Sequence, residues 1–417
     1  MRTGLLFLFW LLAFIPSLNS QKKCEAVQYT QTRLSQNIEL ADRQDQIEHL
    51  ISRALADGSG TAARGEETII RIPVVVHILY HHPSEKITDA QVLSQIQVLN
   101  QCFRRRNADS VKTPSYFRPV AADCGIEFQL AISDPRRRST TGIIRKYTPV
   151  KEWEADDKMK YSSEMGDDAW DPKSYLNIWV CNLRQVAGYA SVPGDELSKD
   201  GIVIGFPAFG TSASQTGYEM GKTAVHEVGH WLNLKHIWGD QYCGDDKVDD
   251  TPRQAGYNIG CPGVINITCG NGPNGDMYMN YMDLTSDACM NLFTQGQKAR
   301  MRALFENGGL RQGILTSKGL NLPLISEIPV PETDPTWLHP HLYPNPASSV
   351  LTLDLTYDTR WLGKTIRVMN MAGQVVMNLT INSKILQLNI SSLPAGIYLL
   401  AAKKDDGESM KLRFVKR

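Results

Sequence analysis

Charge of one sign, membrane-length apolar runs and internal repeats are what this sequence lacks. Its 417 residues hold 44 lysines and arginines against 44 aspartates and glutamates. Without a basic excess there is no phosphate-binding surface to expect, and nucleic acid is excluded as a partner. Beyond the first 20 residues no stretch is long and apolar enough to span a bilayer. No repeat relates the two folded parts outlined below, so one is not a copy of the other. Histidine is scarce, nine in the whole chain, which makes any cluster of them informative. What is present is an ordinary globular composition, 42% hydrophobic, in a chain long enough for two or three domains. The sequence sets no oligomeric state.

The first 20 residues, MRTGLLFLFWLLAFIPSLNS, combine an arginine, an apolar run from Leu5 to Ile15, a proline and small polar residues. This is the pattern of a secretory signal cleaved after Ser20, with a retained membrane anchor as the alternative. Export gives the eight cysteines an oxidising compartment in which disulfides persist. Residues 21–67 are polar and helix-prone, ending in a Gly/Ser/Thr-rich stretch, and read as an appended segment without a core of its own. At Ile69 the character changes: IIRIPVVVHILY is a β-branched run typical of a buried strand. Val92, Ile96, Leu99 and Phe103 then recur at helical spacing, and strands are expected over 126–132, 176–181 and 201–206. That order predicts an α/β domain, residues 68–315, whose twisted sheet stacks on a helix near position 226. Prolines punctuate 316–340 as in a linker. Residues 341–417 alternate short apolar runs with turn signals, the signature of a small all-β sandwich.

The run HEVGHWLNLKH, positions 226–236, carries the chemistry. On a helix His226 and His230 share one face, with Glu227 beside them, the arrangement in which two imidazoles hold one metal next to a general base. His236, six residues on, reaches the same metal only if the helix stops and the chain turns back near Asn233. Such a turn needs a left-handed backbone conformation, for which asparagine is a tolerable substitute for glycine. Three neutral histidines leave a fourth position for water, as in catalytic rather than closed structural zinc sites. In a chain this poor in histidine, chance yields H-E-x-x-H about once per hundred chains, and the third histidine lowers that to the order of one in several thousand. An amphipathic helix bearing solvated histidines is the competing reading.

Taken with DDKVDDTP, NYMDLTSDAC and FTQGQKARM downstream, HEVGHWLNLKHIWGD resembles the metzincin clan of zinc peptidases and, within it, the pappalysin family, the pregnancy-associated plasma protein and cytophagalysin group. The resemblance spans about 69–305. It implies a metzincin-like catalytic domain, a zinc ion on His226, His230 and His236, Glu227 as the catalytic base and Met282 in a tight turn beneath the metal. It also implies disulfides Cys243 to Cys269 and Cys261 to Cys289, where the four cysteines alone admit three pairings. Asp245, Asp246, Asp249, Asp250 and Thr251 fall where family members bind calcium; a solvated acidic loop is the other reading. Cys24 falls where a pro-segment cysteine blocks the zinc in the family's zymogens, with a disulfide to Cys102, Cys124 or Cys181 as the alternative and cleavage near Arg64 as the expected release. Two departures stand out: Asn233 replaces the family's glycine, and Leu284 replaces a tyrosine able to bind the zinc or the reacting oxyanion.

The tail resembles a second family. YPNPASSVLTL, MAGQVV, LPAGIYLL and the terminal FVK are similar to the C-terminal sorting domain of the type IX secretion system, which implies that machinery as a partner and a secreted or cell-surface destination. A substrate-binding sandwich is the alternative. Together these readings predict a secreted zinc endopeptidase acting on protein or peptide substrates, with an edge strand near 183–191 to receive them in extended form. The rival is a zinc-binding adhesin or weakly active pseudo-peptidase, which Leu284 favours.

Overall fold

Two helices come first in the computed structural model, which describes residue 24 and residues 26–57, 68–211, 217–327, 334–405 and 407–417. The expected signal segment 1–20 and the Arg64 cleavage position lie outside the described residues. Helices α1 (Ala26–Gln36) and α2 (Ile38–Ala56) bury only a few side chains each, Leu40, Ile47 and Ile51 among them, and spend these on the neighbouring domain. Among its described residues the appended segment therefore has no core of its own, in keeping with its polar composition.

Strand β1 (Ile70–Tyr80) is the spine of the α/β domain. Its even-numbered apolar residues from Ile70 to Tyr80 enter the main core, while Val75 and Leu79 face the other side of the sheet. Burial on both faces explains the unbroken apolar run that marked this strand. Helix α3 (Asp89–Phe103) follows, capped by the Thr88 hydroxyl, and buries Val92, Ile96, Leu99 and Phe103. Strands β2 (Ile126–Leu130) and β3 (Ile143–Tyr147) both pair in parallel with β1, along its first and second halves respectively. On the other side of β1 lie β4 (Leu176–Cys181), then β6 (Ile202–Gly205), with β5 (Gly188–Ala190) antiparallel at the edge. The sequence reading contained no β3: every residue of IIRKY is half-buried, so neither alternation nor a buried run marks it.

Helix α4 (Lys222–Trp231) packs under β5 and β6, and α5 (Gln295–Ala303), capped reciprocally by Thr294 and Gln297, closes the domain. Between them, residues 232–294 hold no helix or strand. Disulfides Cys243–Cys269 and Cys261–Cys289, each closing a loop of similar length, brace that stretch by about 3 kcal/mol apiece.

The region expected as a free linker over 316–340 is in part fastened down. Ile132 donates its N–H to the Gly319 carbonyl, Ser139 to that of Ile325, and Leu324 to that of Arg137. Further on, Asp334 pairs with Lys86 at 2.7 Å and Leu338 is buried in the main core. Proline marks where regular structure stops but does not report whether the irregular chain finds backbone partners.

Seven strands form the C-terminal sandwich: β7 (His341–Tyr343), β8 (Val350–Asp354), β9 (Thr365–Asn370), β10 (Val375–Thr380), β11 (Ile385–Asn389), β12 (Gly396–Lys403) and β13 (Ser409–Lys416). They make a sheet β10-β9-β12-β13 and a sheet β11-β8-β7, all antiparallel. Leu351, Leu353, Trp361, Ile366, Leu400 and Phe414 fill the space between. Among the described residues no helix is long and apolar enough to cross a membrane.

Candidate metal centre and active site

Helix α4 is built around buried groups. Gly221, at φ +72°, turns the chain into the helix, and the Asp287 carboxylate accepts the N–H groups of Met220 at 2.9 Å and Lys222 at 3.1 Å. A distant aspartate thus satisfies the helix's positive end where no side chain at the cap position does so. At the other end Leu234 N–H bonds to the Gly229 carbonyl and Asn233 N–H to that of His230, with Asn233 at φ +63°. This closing turn reverses the chain and brings His236 back over the helix, as the spacing of the third histidine demands.

The three imidazoles converge. His230 Nε2 lies 3.0 Å from His226 Nε2 and 3.2 Å from His236 Nε2. Their Nδ1 atoms are committed elsewhere: His226 to the Tyr281 carbonyl at 2.6 Å, His230 to the Leu234 carbonyl at 2.9 Å, His236 to the Asp240 carboxylate at 2.5 Å. A carbonyl only accepts, so the Nδ1 atoms of His226 and His230 carry the protons and their Nε2 lone pairs point inward. Burial, reinforced by the other rings, drops His226 to about 3 and drives His230 well down; burial alone drops His236 to about 3. Tetrahedral zinc with nitrogens at about 2.0–2.1 Å sets them roughly 3.3 Å apart, close to what these rings present. The donor set therefore fits a zinc ion, with carbonyl and carboxylate partners of the kind that orient metal-binding histidines.

Glu227 is buried beside the rings. Its Oε1 accepts from the Cys24 thiol at 3.2 Å, while its buried Oε2 has no hydrogen-bond partner among the described residues. Burial pushes its carboxyl up to about 8. Cys24 Sγ also stands 4.0 Å from His230 Nε2. Cys24, His226, His230 and His236 form the one group of three or more possible metal ligands that converges among the described residues. The thiol is thus at the histidines and not in a disulfide with Cys102, Cys124 or Cys181; Cys102 and Cys181 are buried and unpaired. Burial pushes the Cys102 thiol up to about 12.

Below the site, Met282 is fully buried with its sulfur against the backbone of Gly229. Tyr281 points away: its ring packs on Phe293 at 4.8 Å and it is fully buried, so its hydroxyl cannot replace the tyrosine absent at Leu284. Leu284 instead packs with Ile237 and Trp238. The edge strand expected over 183–191 is three residues long, β5, and a Cβ on Gly188 would lie 3.2 Å from Glu227 Cγ. Glycine there leaves the carboxylate room directly under the strand.

The acidic loop is only partly drawn together. Asp245, Asp246, Asp249 and Thr251 line a cavity of about 320 Å3, in which the Asp246 carboxylate accepts from the Thr251 hydroxyl at 2.9 Å. Asp250 turns toward α5, accepting the Gly296 N–H at 2.9 Å, and Lys247 neutralises Asp245 at 3.1 Å. Sequence reasoning missed Asp240 and Asp287. Asp240 follows His236 by four residues and so had a positional signal; Asp287 sits 65 positions from the Lys222 N–H it binds and had none.

Both domains of the chain match known proteins. The family model described as pregnancy-associated plasma protein-A matches residues 159–306, and that of the secretion system C-terminal sorting domain matches 341–417. An extracellular metalloprotease of Pyricularia oryzae is 30% identical over 267 residues, covering 61% of this chain and 81% of that protein. Another, from Coccidioides posadasii, is 31% identical over 251 residues, covering 57% and 77%. Among solved structures, mature mirolysin of Tannerella forsythia in complex with a cleaved peptide is 48% identical, covers 60% of this chain and 97% of that one, and superposes with a TM-score of 0.59. A promirolysin mutant from the same organism is 42% identical with a TM-score of 0.63, covering 70% and 96%. Fold and site together define a secreted zinc metalloendopeptidase. The chain belongs to the pregnancy-associated plasma protein-A family of peptidases, and its tail is a type IX secretion sorting domain that directs it to the exterior or cell surface. Nothing in the comparisons supports an adhesin.

Proposed function

We propose that His226, His230 and His236 hold the catalytic zinc through their Nε2 atoms and that Glu227 is the general base. The observation that carries this is the inward convergence of three proton-free nitrogens at 3.0 and 3.2 Å, which would only repel one another if nothing electrophilic lay between them. When bound, the zinc supplies Lewis acidity, lowering the pKa of a water molecule and polarising the scissile carbonyl. Glu227, with one oxygen unpartnered, takes the proton from that water and delivers it to the leaving amine. The outer edge of β5, which pairs with no further strand, receives the substrate backbone as an added strand once the N-terminal helices have left, which positions it above Glu227. Met282 supports the floor of the site through Gly229.

The domain plan follows: residues 1–20 a signal peptide, 21–67 a pro-segment, 68–315 the catalytic domain, 316–340 a linker and 341–417 the sorting domain that engages the type IX machinery. Cys24 serves as the fourth zinc ligand in the latent chain, a role its place among the histidines supports. Calcium binding at Asp245, Asp246, Asp249 and Thr251 is supported by Asp246, whose carboxyl burial pushes up to about 7 because its hydrogen bonds only partly offset lost solvation. Asp250, bonded to α5, would contribute through its other oxygen.

The processed chain tests the reading. Glu227→Ala retains zinc by elemental analysis and loses casein cleavage by at least about a thousandfold; a chelator abolishes the wild-type activity, and Cys24→Ala renders the unprocessed chain active. Undiminished proteolysis by Glu227→Ala would refute the assignment.

A further inference from the structure

Tyr29 and Arg33 stand one turn apart on the same face of α1, and each is received by groups of the catalytic domain that are organised without it. The Tyr29 ring is buried between Tyr189, 4.8 Å away, and the side chains of Met159 and Trp179. Its hydroxyl donates to Asp157 Oδ2 at 2.6 Å. Asp157, held at φ +68°, also pairs with Lys160 Nζ at 2.8 Å and accepts the Tyr189 hydroxyl at 3.0 Å. Lys160 is fixed in turn by the Lys199 carbonyl at 2.7 Å and stands over the rings of Trp179 and Tyr189. The carboxylate floor and aromatic walls thus belong to the catalytic domain and outlast the departure of α1. Arg33 grips Asp195 with two hydrogen bonds, 2.8 and 3.1 Å, and reaches Glu196 at 3.4 Å. A cleft of about 620 Å3 continues beside Tyr29, so α1 does not fill the whole depression.

The location gives the socket its use. Side chains alternate along β5, so Gly188 faces Glu227 while Tyr189 forms a wall of the socket on the opposite face of the strand. A polypeptide paired along the β5 edge can therefore present one part to the metal centre and anchor another part behind the strand. We propose that, once residues 21–67 have been removed, this socket is an accessory substrate-binding site of the mature enzyme, taking a tyrosine side chain with a basic residue one helical turn beyond it. The inference rests on the pro-segment reading above. Its chemistry is specific: phenol rather than benzyl, because a charged acceptor waits at the bottom, and a cation beside it, because Asp195 is left without its counter-ion when Arg33 leaves.

The test uses the full chain cleaved at Arg64 with added protease and freed of its N-terminal segment, with a fluorescein-labelled peptide of residues 26–36 as probe. Fluorescence anisotropy shows saturable binding that weakens about tenfold when the peptide's Tyr29 is replaced by Phe, and further by Ala. Replacing Arg33 by Ala weakens it about fivefold. The Asp157→Asn protein, whose left-handed backbone asparagine tolerates, binds the Tyr and Phe peptides alike. The peptide competes with casein cleavage and leaves a short reporter peptide's hydrolysis unchanged. Equal binding of the Tyr, Phe and Ala peptides, or no saturable binding, overturns the proposal, and these peptide comparisons do not depend on any protein variant folding. Binding is read apart from activation, so a chain that is fully active with residues 21–67 in place would sink the pro-segment reading, whereas loss of peptide discrimination in the cleaved, active chain would sink the socket alone.

Discussion

A Cβ at Gly229 would lie 2.4 Å from the Met282 sulfur, with Phe293 3.6 Å away behind it. One missing methyl thus lets the turn at 282 press against the helix that carries His226 and His230. Gly229→Ala forces Met282 to move within a packed core, and the expected outcome is a loss of about 1–3 kcal/mol, read as a lower Tm, together with reduced zinc content. An unchanged Tm and full zinc occupancy would show that the floor is compliant. Asn233 makes the complementary point. Its positive φ confirms that the turn needs the left-handed region, and its side chain donates to Glu48 of α2 at 2.8 Å, a contact glycine could not offer. The asparagine was legible as a tolerated turn residue, but its hydrogen bond to α2 was not, because Glu48 is 185 positions away. Leu284 shows the limit at this scale: the sequence identified a missing tyrosine, and only packing revealed that leucine joins the Ile237 and Trp238 cluster.

Among the elements, α4 was the most legible, since its histidine spacing allows few backbone paths. The irregular stretch after it was legible as a loop in need of braces, and its two disulfides agree with the pairing the family resemblance implied. Its ion chemistry is open to measurement. Asp246 is largely buried in a carboxylate-lined cavity, where the calcium proposed above would offset its desolvation. Calcium at saturating concentration raises the Tm of the full chain, and Asp246→Asn lowers that increment to nothing, as followed by scanning calorimetry. A calcium-independent Tm in both proteins would leave a plain acidic loop. The N-terminal helices α1 and α2 show elements held by charge: Arg300 of α5 binds Glu48 at 2.7 Å and Arg33 binds Asp195 at 2.8 Å. Neither pair follows from helical periodicity, because each joins residues brought together only by folding.

For the molecule as a whole, the two domains meet through Asp334, Lys86 and Leu338, and through Arg360, which donates to the Pro83 carbonyl at 3.0 Å. Behind Arg360, Asp358 is fully buried between Arg360 at 2.7 Å and Lys404 at 2.5 Å, with Lys404 over the Trp361 ring. Burial works against the ionised form, but the two cations outweigh it and hold Asp358 at about 2. Because this value lies below that of the unfolded chain, the pair's stabilisation is complete above about pH 4 and is lost as pH falls toward 2. The sorting-domain transition in full-chain denaturation should weaken over that window. Asp358→Asn should remove most of this acid dependence and cost about 1–3 kcal/mol at neutral pH, because Lys404 loses its buried carboxylate and keeps only Glu408 at 2.6 Å. A variant as acid-sensitive as the wild type would assign the effect to other carboxylates.

By itself the sequence determined the chemistry and the broad plan. Histidines at 226, 230 and 236 with Glu227, the β-branched run of β1 and the alternating runs of the tail are local patterns, and local geometry converts each directly into a helix face, a buried strand or a sandwich strand. Only the tertiary structure decided which partners complete them. The Tyr281 carbonyl that orients His226, the Asp287 carboxylate at the start of α4, the hydrogen bonds that fasten 319–325 and the seat of the Tyr29 side chain all depend on groups distant along the chain. Such contacts carry no period or spacing for a sequence to display, since the chain path alone sets which backbone carbonyl or carboxylate arrives beside a buried donor.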